Sequence, residues 1–372
     1  MAAKDDIIAD DIIARTLDLN RFDAATRAKV LEILKRMEED LIDLLVFNGD
    51  ALTEASKTDK ARLLSQAQRT IAAYYGESAD VNSAAMTGAA RVEATAMAAS
   101  LSDAFAAAVG VSLPSETYFA TLVKDTMVQK APSAEWWSRQ AGDVAFRFRN
   151  EVAYGISQGE TNQQIIQRIR GKAAGYETVD GKRVYRYEGG VMTVAKNNAE
   201  ALVITSIQTA ANEARRQTYV ENADILKGIK QLSTLDARTS ILCVAYSGAA
   251  WKLDEKHTPI APNKLPYNGG TPRHWRCRSI ETALTKSFRE LGIGIDEPEP
   301  STRASIDGQV AQGTTMADFL ERKGKAFSDE VLGEGRAELW RAGKITLPEL
   351  LDQRGRPLSL EELRAKYEKR PG

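Results

Sequence analysis

The residues best suited to metal or nucleophilic chemistry lie close together in this chain. It contains only two cysteines and two histidines among 372 residues, and all four fall between positions 233 and 281: Cys243, His257, His274 and Cys277. Zinc favours thiolate and imidazole ligands in a tetrahedral site. His274 and Cys277 are three residues apart, so one tight turn can direct both at a metal. Cys243 would arrive from the preceding loop, and the fourth ligand would be Asp236, His257 or water.

The same residues also fit two other kinds of chemistry. Buried cysteine commonly behaves as a small hydrophobic residue, so Cys243 and Cys277 are compatible with an ordinary core, with His274 capping a turn. A Cys/His nucleophilic pair needs a general base and an oxyanion donor. Neither cysteine is flanked by a nucleophile elbow or a papain-like signature. A nuclease of the His-Asn-His type would need a second catalytic histidine with suitable flanks.

A short basic run follows the second half of this region. Arg273, Arg276 and Arg278 would form a positive edge able to contact DNA phosphates without sequence preference. They would equally pair with acidic residues inside the fold, and the nearest candidates are Asp236, Asp254 and Glu255. The sequence leaves both possibilities open.

Two motifs in this region resemble the head-morphogenesis module of tailed phages. The first reads Asp-x-Arg-Thr-x-x-x-Cys and the second Pro-x-His-x-x-Cys-Arg; the matching residues are Asp236, Arg238, Thr239, Cys243, Pro272, His274, Cys277 and Arg278. The resemblance is to minor head proteins similar to protein F of phage Mu and protein seven of phage SPP1. It extends over residues 155–363 and is most specific over 236–278. Ser279 and Thr271 depart from the family pattern, which often has a third cysteine and a second proline there.

The resemblance implies a ligand set and a function. Because the family motif carries an acidic residue at position 236, it favours Asp236 as the fourth ligand of a zinc ion held by Cys243, His274 and Cys277. It further implies a non-enzymatic minor head (capsid) protein acting in head morphogenesis at or near the portal and assisting DNA packaging or delivery. The expected partners are portal protein or major capsid protein, with non-specific DNA contact. The expected location is the phage head, assembled in the host cytoplasm.

An enzymatic alternative is a hydrolase or toxin built on the same module. It would need a convergent set of polar residues in a pocket, and the sequence does not supply an evident one. Toxin fusions to this module usually add a separate catalytic domain, and the remaining C-terminal tail is short for that.

The overall composition is that of a soluble globular protein. Hydrophobic residues make up 43% and charged residues 27%, and the net charge of −1 gives no global electrostatic reason to bind nucleic acid or membranes. No apolar run approaches the roughly 18 residues of a membrane helix. The N-terminus is too acidic for a signal peptide. Two cysteines do not make a disulfide framework, so we expect a protein made in a reducing cytoplasm.

Helical periodicity dominates the chain on both sides of the module. Apolar residues recur every three or four positions over much of 5–110, and the tail from Thr315 predicts three short helices separated by glycine and proline. The sequence therefore predicts a predominantly helical α+β fold. Its expected parts are an N-terminal helical region (1–130), the head-morphogenesis module with a zinc staple (131–290) and a C-terminal helical region (291–372).

Short strands are expected around the cysteine and histidine cluster. The patterns indicate strands at 229–235, 248–253 and 304–310. Asp180-Gly181 between β-branched and aromatic residues predicts an inserted hairpin over 176–194.

Two helical segments have both an ordinary and a more specific interpretation. The alanine-rich stretch 84–108 suits close helix packing within one protein, or a face that docks on another subunit. The helix starting near Ala134 interleaves tryptophans with Arg139, Arg147 and Arg149, which fits an amphipathic helix with arginine stems over the core, or a nucleic-acid contact.

Overall fold

The computed structural model of the chain describes residues 3–47, 56–179, 182–296, 302–305, 308–311 and 315–367. Helices predominate, and the few strands are short and antiparallel, which confirms the predicted α+β, mostly helical class. The helices are α1 (Ala3–Phe47), α2 (Lys57–Ala104), α3 (Glu116–Asp125), α4 (Ser133–Ser157), α5 (Asn162–Arg170), α6 (Gly190–Glu221), α7 (Ile241–Tyr246), α8 (Met316–Leu332), α9 (Glu334–Arg341), a 3-10 helix (Leu347–Leu350) and α10 (Leu360–Tyr367). None of those described has the length and apolar character that a membrane span requires.

The strands form four small antiparallel sheets. They are β1 (Met127–Val128), β2 (Ala131–Pro132), β3 (Lys172–Val179), β4 (Lys182–Glu188), β5 (Leu226–Leu232), β6 (Ala250–Trp251), β7 (Ile280–Thr285), β8 (Thr302–Ser305) and β9 (Gly308–Ala311). β5 lies at the centre of a three-stranded sheet between β6 and β7, and the other strands pair two by two. The first two strands predicted near the cluster correspond to β5 and β6 with shifted bounds. The single strand predicted at 304–310 is wrong, since two strands pair there instead.

The chain divides into two compact units that interleave along the sequence. The first comprises Met1–Asn20, Ala89–Ala120 and Gln208–Gly372, and the second comprises Arg21–Gly88 and Thr121–Ile207. The predicted regions 1–130 and 131–290 therefore each contribute to both units. Those three regions were defined by periodicity and resemblance, and as functional modules they stay a prediction.

The first unit is built around the β6-β5-β7 sheet. Residues from both ends of the chain join its apolar core, among them Ile8, Phe105, Trp251, Phe288 and Leu363. Buried alanines of α2, including Ala90 and Ala94, also lie inside this unit. Since these small side chains are covered by the chain itself, the alanine-rich stretch serves close packing within the protein.

The second unit is helical with one hairpin. On α4, Trp137, Val144, Phe148 and Val152 are buried at helical spacing. On its exposed side Arg139 pairs with Glu135 and Arg147 with Asp143. This supports an amphipathic helix whose arginines pair with carboxylates four residues earlier.

The predicted hairpin is confirmed in type but not in extent. β3 and β4 pair with Val179 opposite Lys182, and the Asp180-Gly181 loop lies outside the described residues. The expected end at 194 is wrong, because α6 begins at Gly190 and buries Val191 and Met192. Their apolar side chains are more stable in the unit's core than in a solvent-exposed strand.

Candidate metal centre

Three of the predicted ligands meet in the first unit. The sulfur atoms of Cys243 and Cys277 and a ring nitrogen of His274 all lie within 4.8 Å of one another. The two sulfurs are 3.6 Å apart, and Nε2 of His274 is 3.2 Å from Sγ of Cys243. A tetrahedral zinc would hold two sulfurs about 3.8 Å apart and a sulfur and a nitrogen about 3.5 Å apart. Two of the three separations are therefore close to the tetrahedral values, and the third, between Cys277 and His274, lies within 4.8 Å, so the three side chains could hold a metal after local adjustment.

Strand pairing explains why residues distant in sequence meet here. β5 and β7 are antiparallel, with Leu232 at the end of β5 opposite Ile280 at the start of β7. The segment that leaves β5 and the segment that enters β7 must therefore lie at the same end of the sheet. Ser233 leaves β5 there, and its hydroxyl contacts that of Ser279 at 3.3 Å. The sheet thus positions both halves of the motif.

The cap at the start of α7 fixes the position of Cys243. Ser240 is the N-cap of α7, and its hydroxyl accepts a hydrogen bond from the backbone N–H of Cys243 at 3.3 Å. Cys243 lies in the first turn of this short helix and is buried. The hydroxyl of Ser233 donates to the carbonyl of Cys243 at 2.7 Å, which ties the same turn to the end of β5.

The His274–Cys277 segment forms the tight turn that its spacing predicts. The backbone N–H of Cys277 donates to the carbonyl oxygen of His274 at 3.2 Å, and Arg276 has a positive φ of 58° within the turn. This geometry brings the two side chains to one side, where both are members of the group. Cys277 is fully buried at the entrance to β7.

The histidine ring is oriented by its second nitrogen. Nδ1 of His274 lies 2.9 Å from the carbonyl oxygen of Trp275. Because a carbonyl only accepts hydrogen bonds, Nδ1 carries the proton in the neutral ring and Nε2 keeps its lone pair. Nε2 faces the sulfurs and lies 2.8 Å from Oγ of Ser240. An outer partner that fixes the tautomer in this way is typical of metal-ligating histidines.

The two thiols have different acidities in this environment. The hydrogen bond from Cys243 and the contact with His274 lower the pKa of Cys277 well below its usual range, despite burial. The same hydrogen bond, together with burial, raises the pKa of Cys243. Hydrogen bonding to Cys277 raises the pKa of His274. Cys277 is therefore the sulfur that ionises first, and metal binding must displace the proton of Cys243.

Asp236, the fourth predicted ligand, is not part of the group. Both of its oxygens bind Arg278, at 2.5 and 2.8 Å. It also accepts hydrogen bonds from the hydroxyl of Thr239 and the backbone N–H of Arg238. Burial opposes ionisation of Asp236, but the hydrogen bonds and charge of Arg278 outweigh it and lower its pKa. The carboxylate acts as a brace between the two motif halves, 42 residues apart.

His257 also lies apart from the three ligands. Its ring stacks on Tyr267 with centroids 4.1 Å apart and an interplanar angle of 9°. Burial lowers the pKa of His257. Of the two histidines in the sequence cluster, only His274 therefore faces the cysteines.

The arginines of the predicted basic edge have different surroundings. Arg273 stacks over Tyr246 at 3.5 Å and donates to Oε1 of Gln231 and the carbonyl of Tyr267. Arg278 binds Asp236, so these two serve the fold. Arg276 is exposed beside Trp275, which is 37% exposed.

A small cavity opens beside the ligand group. Its volume is about 20 Å³, and its lining includes Cys243, His274, Ser279, Arg238, Arg276 and Arg278. A cavity of that size holds one water-sized ligand.

Sequence reasoning missed three elements of the site. Ser240 and Ser279 contact the ligands, and β7 carries the turn into the sheet. A serine three residues before Cys243 and just ahead of an apolar run is a capping pattern that could have identified Ser240. β7 reads Ile-Glu-Thr-Ala-Leu-Thr, whose polar residues conceal a strand that is buried on both faces.

Comparison with known proteins adds no relative. No family model matches this chain, and no match is found among curated proteins or solved structures. The resemblance to the phage module therefore rests on the motif residues alone.

Proposed function

We propose that this chain is a structural minor head protein of a tailed phage, incorporated at or near the portal during assembly in the host cytoplasm. The supporting observation is that the residues carrying the resemblance converge. Cys243, His274 and Cys277 form one group, and Asp236 and Arg278 form the adjacent brace. A motif whose separated halves meet in space is expected of a genuine module, not of a chance match.

The site holds one zinc ion through Cys243, His274 and Cys277, with the fourth position open to a ligand from outside this group. When bound, zinc supplies a cross-link between α7 and the turn before β7. The segment from 252 to 279 contains no helix or named strand, so such a cross-link would stabilise it considerably. The role assigned to the metal is therefore to hold the module in one conformation.

A structural role is supported over a hydrolytic one by access and by lining residues. Cys277 is fully buried, and the adjoining cavity is too small for an acyl or phosphoryl substrate. A larger cleft of about 640 Å³ lies in the second unit, where Arg168 binds both Glu160 and Glu151. Within the described residues, its lining includes no serine, threonine, cysteine or histidine nucleophile, and of its three glutamates Glu151 and Glu160 are paired with Arg168 while Glu188 is the third.

The test is the location of the chain in assembling particles. We expect it in procapsids and mature heads, and in complexes purified through the portal protein. Quantitative mass spectrometry of gradient-purified procapsids and virions measures this. Absence from both, while assembly still requires the chain, would contradict a structural role and favour a catalytic or chaperone role.

A further inference from the structure

We propose that the metal held by Cys243, His274 and Cys277 takes its fourth ligand from a partner protein, and that this ligand is the carboxylate of an acidic side chain. The inference rests on the proposed zinc site and deepens it. It identifies the chemistry that the site presents to a partner.

Within the described residues, the chain brings no fourth strong ligand to the group. Asp236 uses both oxygens on Arg278, and His257 stacks on Tyr267. The other polar side chains that contact the group or line its cavity include the hydroxyls of Ser240, Ser279, Thr234 and Thr239. Neutral hydroxyls are not among the usual zinc ligands, which are thiolate, imidazole and carboxylate.

The open side of the group is the small cavity. It is lined by Cys243 and His274, so a ligand inside it lies next to the metal-binding atoms. Its volume of about 20 Å³ admits a single donor atom of the size of water. A carboxylate can insert one oxygen and leave the rest of the group outside, whereas a phosphate would have to place a bulkier tetrahedral group at the opening.

The charge around this cavity selects an anion. Zinc with two thiolates and a neutral imidazole has no net charge. The surrounding side chains therefore decide whether a positively or a negatively charged fourth ligand is favoured. Arg238, Arg276 and Arg278 all line the cavity, and Asp236, which binds Arg278 and lies 3.9 Å from Arg238, offsets one of their three charges. Arginine presents a planar fork of donors that matches carboxylate and phosphate alike, so the charge selects an anion and the narrow cavity selects the planar carboxylate. An acidic side chain of a partner protein is the ligand that this combination fits.

Cobalt substitution of the full chain tests the proposal without an activity assay. Thiolate-to-cobalt charge transfer reports metal binding, and the visible bands report the fourth ligand. We expect acetate at constant ionic strength to shift the visible bands saturably, and inorganic phosphate to leave them unchanged. Ser279→Cys should abolish the acetate response, because a third thiolate would occupy the open position.

Arginine variants provide a milder test in a folded protein. Arg276→Ala should raise the acetate concentration for half-maximal change roughly threefold, the scale of one partly exposed charge contact. Arg183→Ala, an exposed arginine of the hairpin, is the matched control and should leave the titration unchanged.

The outcomes distinguish failure of the zinc site from failure of the carboxylate as its fourth ligand. Charge transfer together with visible bands that ignore acetate would overturn the carboxylate inference and leave the zinc site intact. A response to phosphate but not to acetate would also overturn it, in favour of a nucleic-acid or phosphate ligand. Absence of charge transfer would overturn the zinc site and the inference together.

Discussion

At the scale of single residues, the site is defined by which polar atoms are already engaged. The proton on Nδ1 of His274 is directed to the carbonyl of Trp275, which leaves Nε2 for the metal. Both oxygens of Asp236 are bound by Arg278, so this carboxylate is not available as a metal ligand. A buried group with satisfied hydrogen bonds leaves them only at a free-energy cost, so these contacts favour His274 over Asp236 as a member of the candidate metal-binding group.

The first prediction concerns zinc content. Cys243→Ser, Cys277→Ser and His274→Ala should each reduce bound zinc from about one per chain to near zero, because each removes one of three protein ligands. Elemental analysis of protein purified without chelator measures the content, and thermal melting measures the accompanying loss of stability. His257→Ala is the control and should retain zinc. Near-zero zinc in the parent protein, with melting unchanged by chelator, would leave Cys243 and Cys277 as ordinary buried cysteines.

A second prediction concerns the ion pair between Asp236 and Arg278 and the pH dependence of its contribution to stability. Asp236→Asn should keep the zinc content but cost about 1–3 kcal/mol of unfolding free energy at neutral pH, because it leaves Arg278 without its carboxylate. Since folding lowers the pKa of Asp236, its contribution is present above the unfolded value of about 3.9 and is lost as the pH falls through the folded value. Parent and variant should therefore converge in stability at strongly acidic pH.

Denaturant unfolding at neutral and acidic pH, with chelator present in both samples, measures this difference without interference from the metal. A difference that stays constant across the pH range would show that the carboxylate's charge is not the stabilising feature. Loss of zinc on Asp236→Asn would restore Asp236 as a ligand.

At the scale of elements, a small sheet and a short helix do the positioning. The pairing of β5 with β7 brings Ser233 and Ser279 together, and the cap at Ser240 fixes the start of α7. In contrast, the hairpin β3–β4 serves no such purpose in the described part of the chain. Its aromatic side chains Tyr176 and Tyr185 are each 50% exposed.

The third prediction is that this hairpin can be removed if the junction is chosen correctly. The backbones of Gly171 and Gly190 approach so closely that neither position has room for a Cβ. Joining Gly171 directly to Gly190 should therefore give a folded protein, since surface insertions contribute little to stability. Joining Gly175 to Thr193 is the comparison and should destabilise it, because it deletes the buried Val191 and Met192.

Soluble expression and thermal melting of the Gly171–Gly190 and Gly175–Thr193 deletions measure whether each variant folds and how stable it is. Insoluble protein from the Gly171–Gly190 junction would show that the hairpin belongs to the core. Equal stability of both deletions would contradict the role assigned to Val191 and Met192.

At the scale of the whole molecule, distant parts of the chain share one core. Residues 1–20 and 89–120 belong to the same unit as everything from Gln208 onward. Phe105, which directly follows α2, contacts Phe288 edge to face with centroids 5.8 Å apart. The N-terminal helices are therefore not self-sufficient, since part of their apolar surface is covered by later segments.

The fourth prediction follows from this arrangement. A fragment of residues 1–130 should retain helical character but lack a cooperative unfolding transition as a monomer, because the partners of Ile8, Leu101 and Phe105 in the first unit are missing. Circular dichroism melting with a parallel measurement of mass in solution tests it, with the full chain as control. A sharp transition in a monomeric fragment would contradict the prediction.

The sequence alone determined the helical character and singled out the three residues that meet as a candidate metal-binding group. Helical periodicity is a local property, so the buried stripe Leu34, Met37, Leu41 and Leu45 of α1 could be predicted without tertiary information. The spacing of His274 and Cys277 likewise fixes a turn, and the rarity of cysteine and histidine made Cys243 the natural third member.

Only the tertiary structure determined the features that depend on contacts between residues far apart in the sequence. Whether Asp236 binds a metal or Arg278 is a competition between two contacts, and no local pattern reveals its outcome. β7 was invisible in sequence because burial on both faces removes the alternation that marks a strand. The division into two interleaved units is similarly non-local, since long helices such as α1 and α2 contribute to both, and periodicity does not indicate where one core ends.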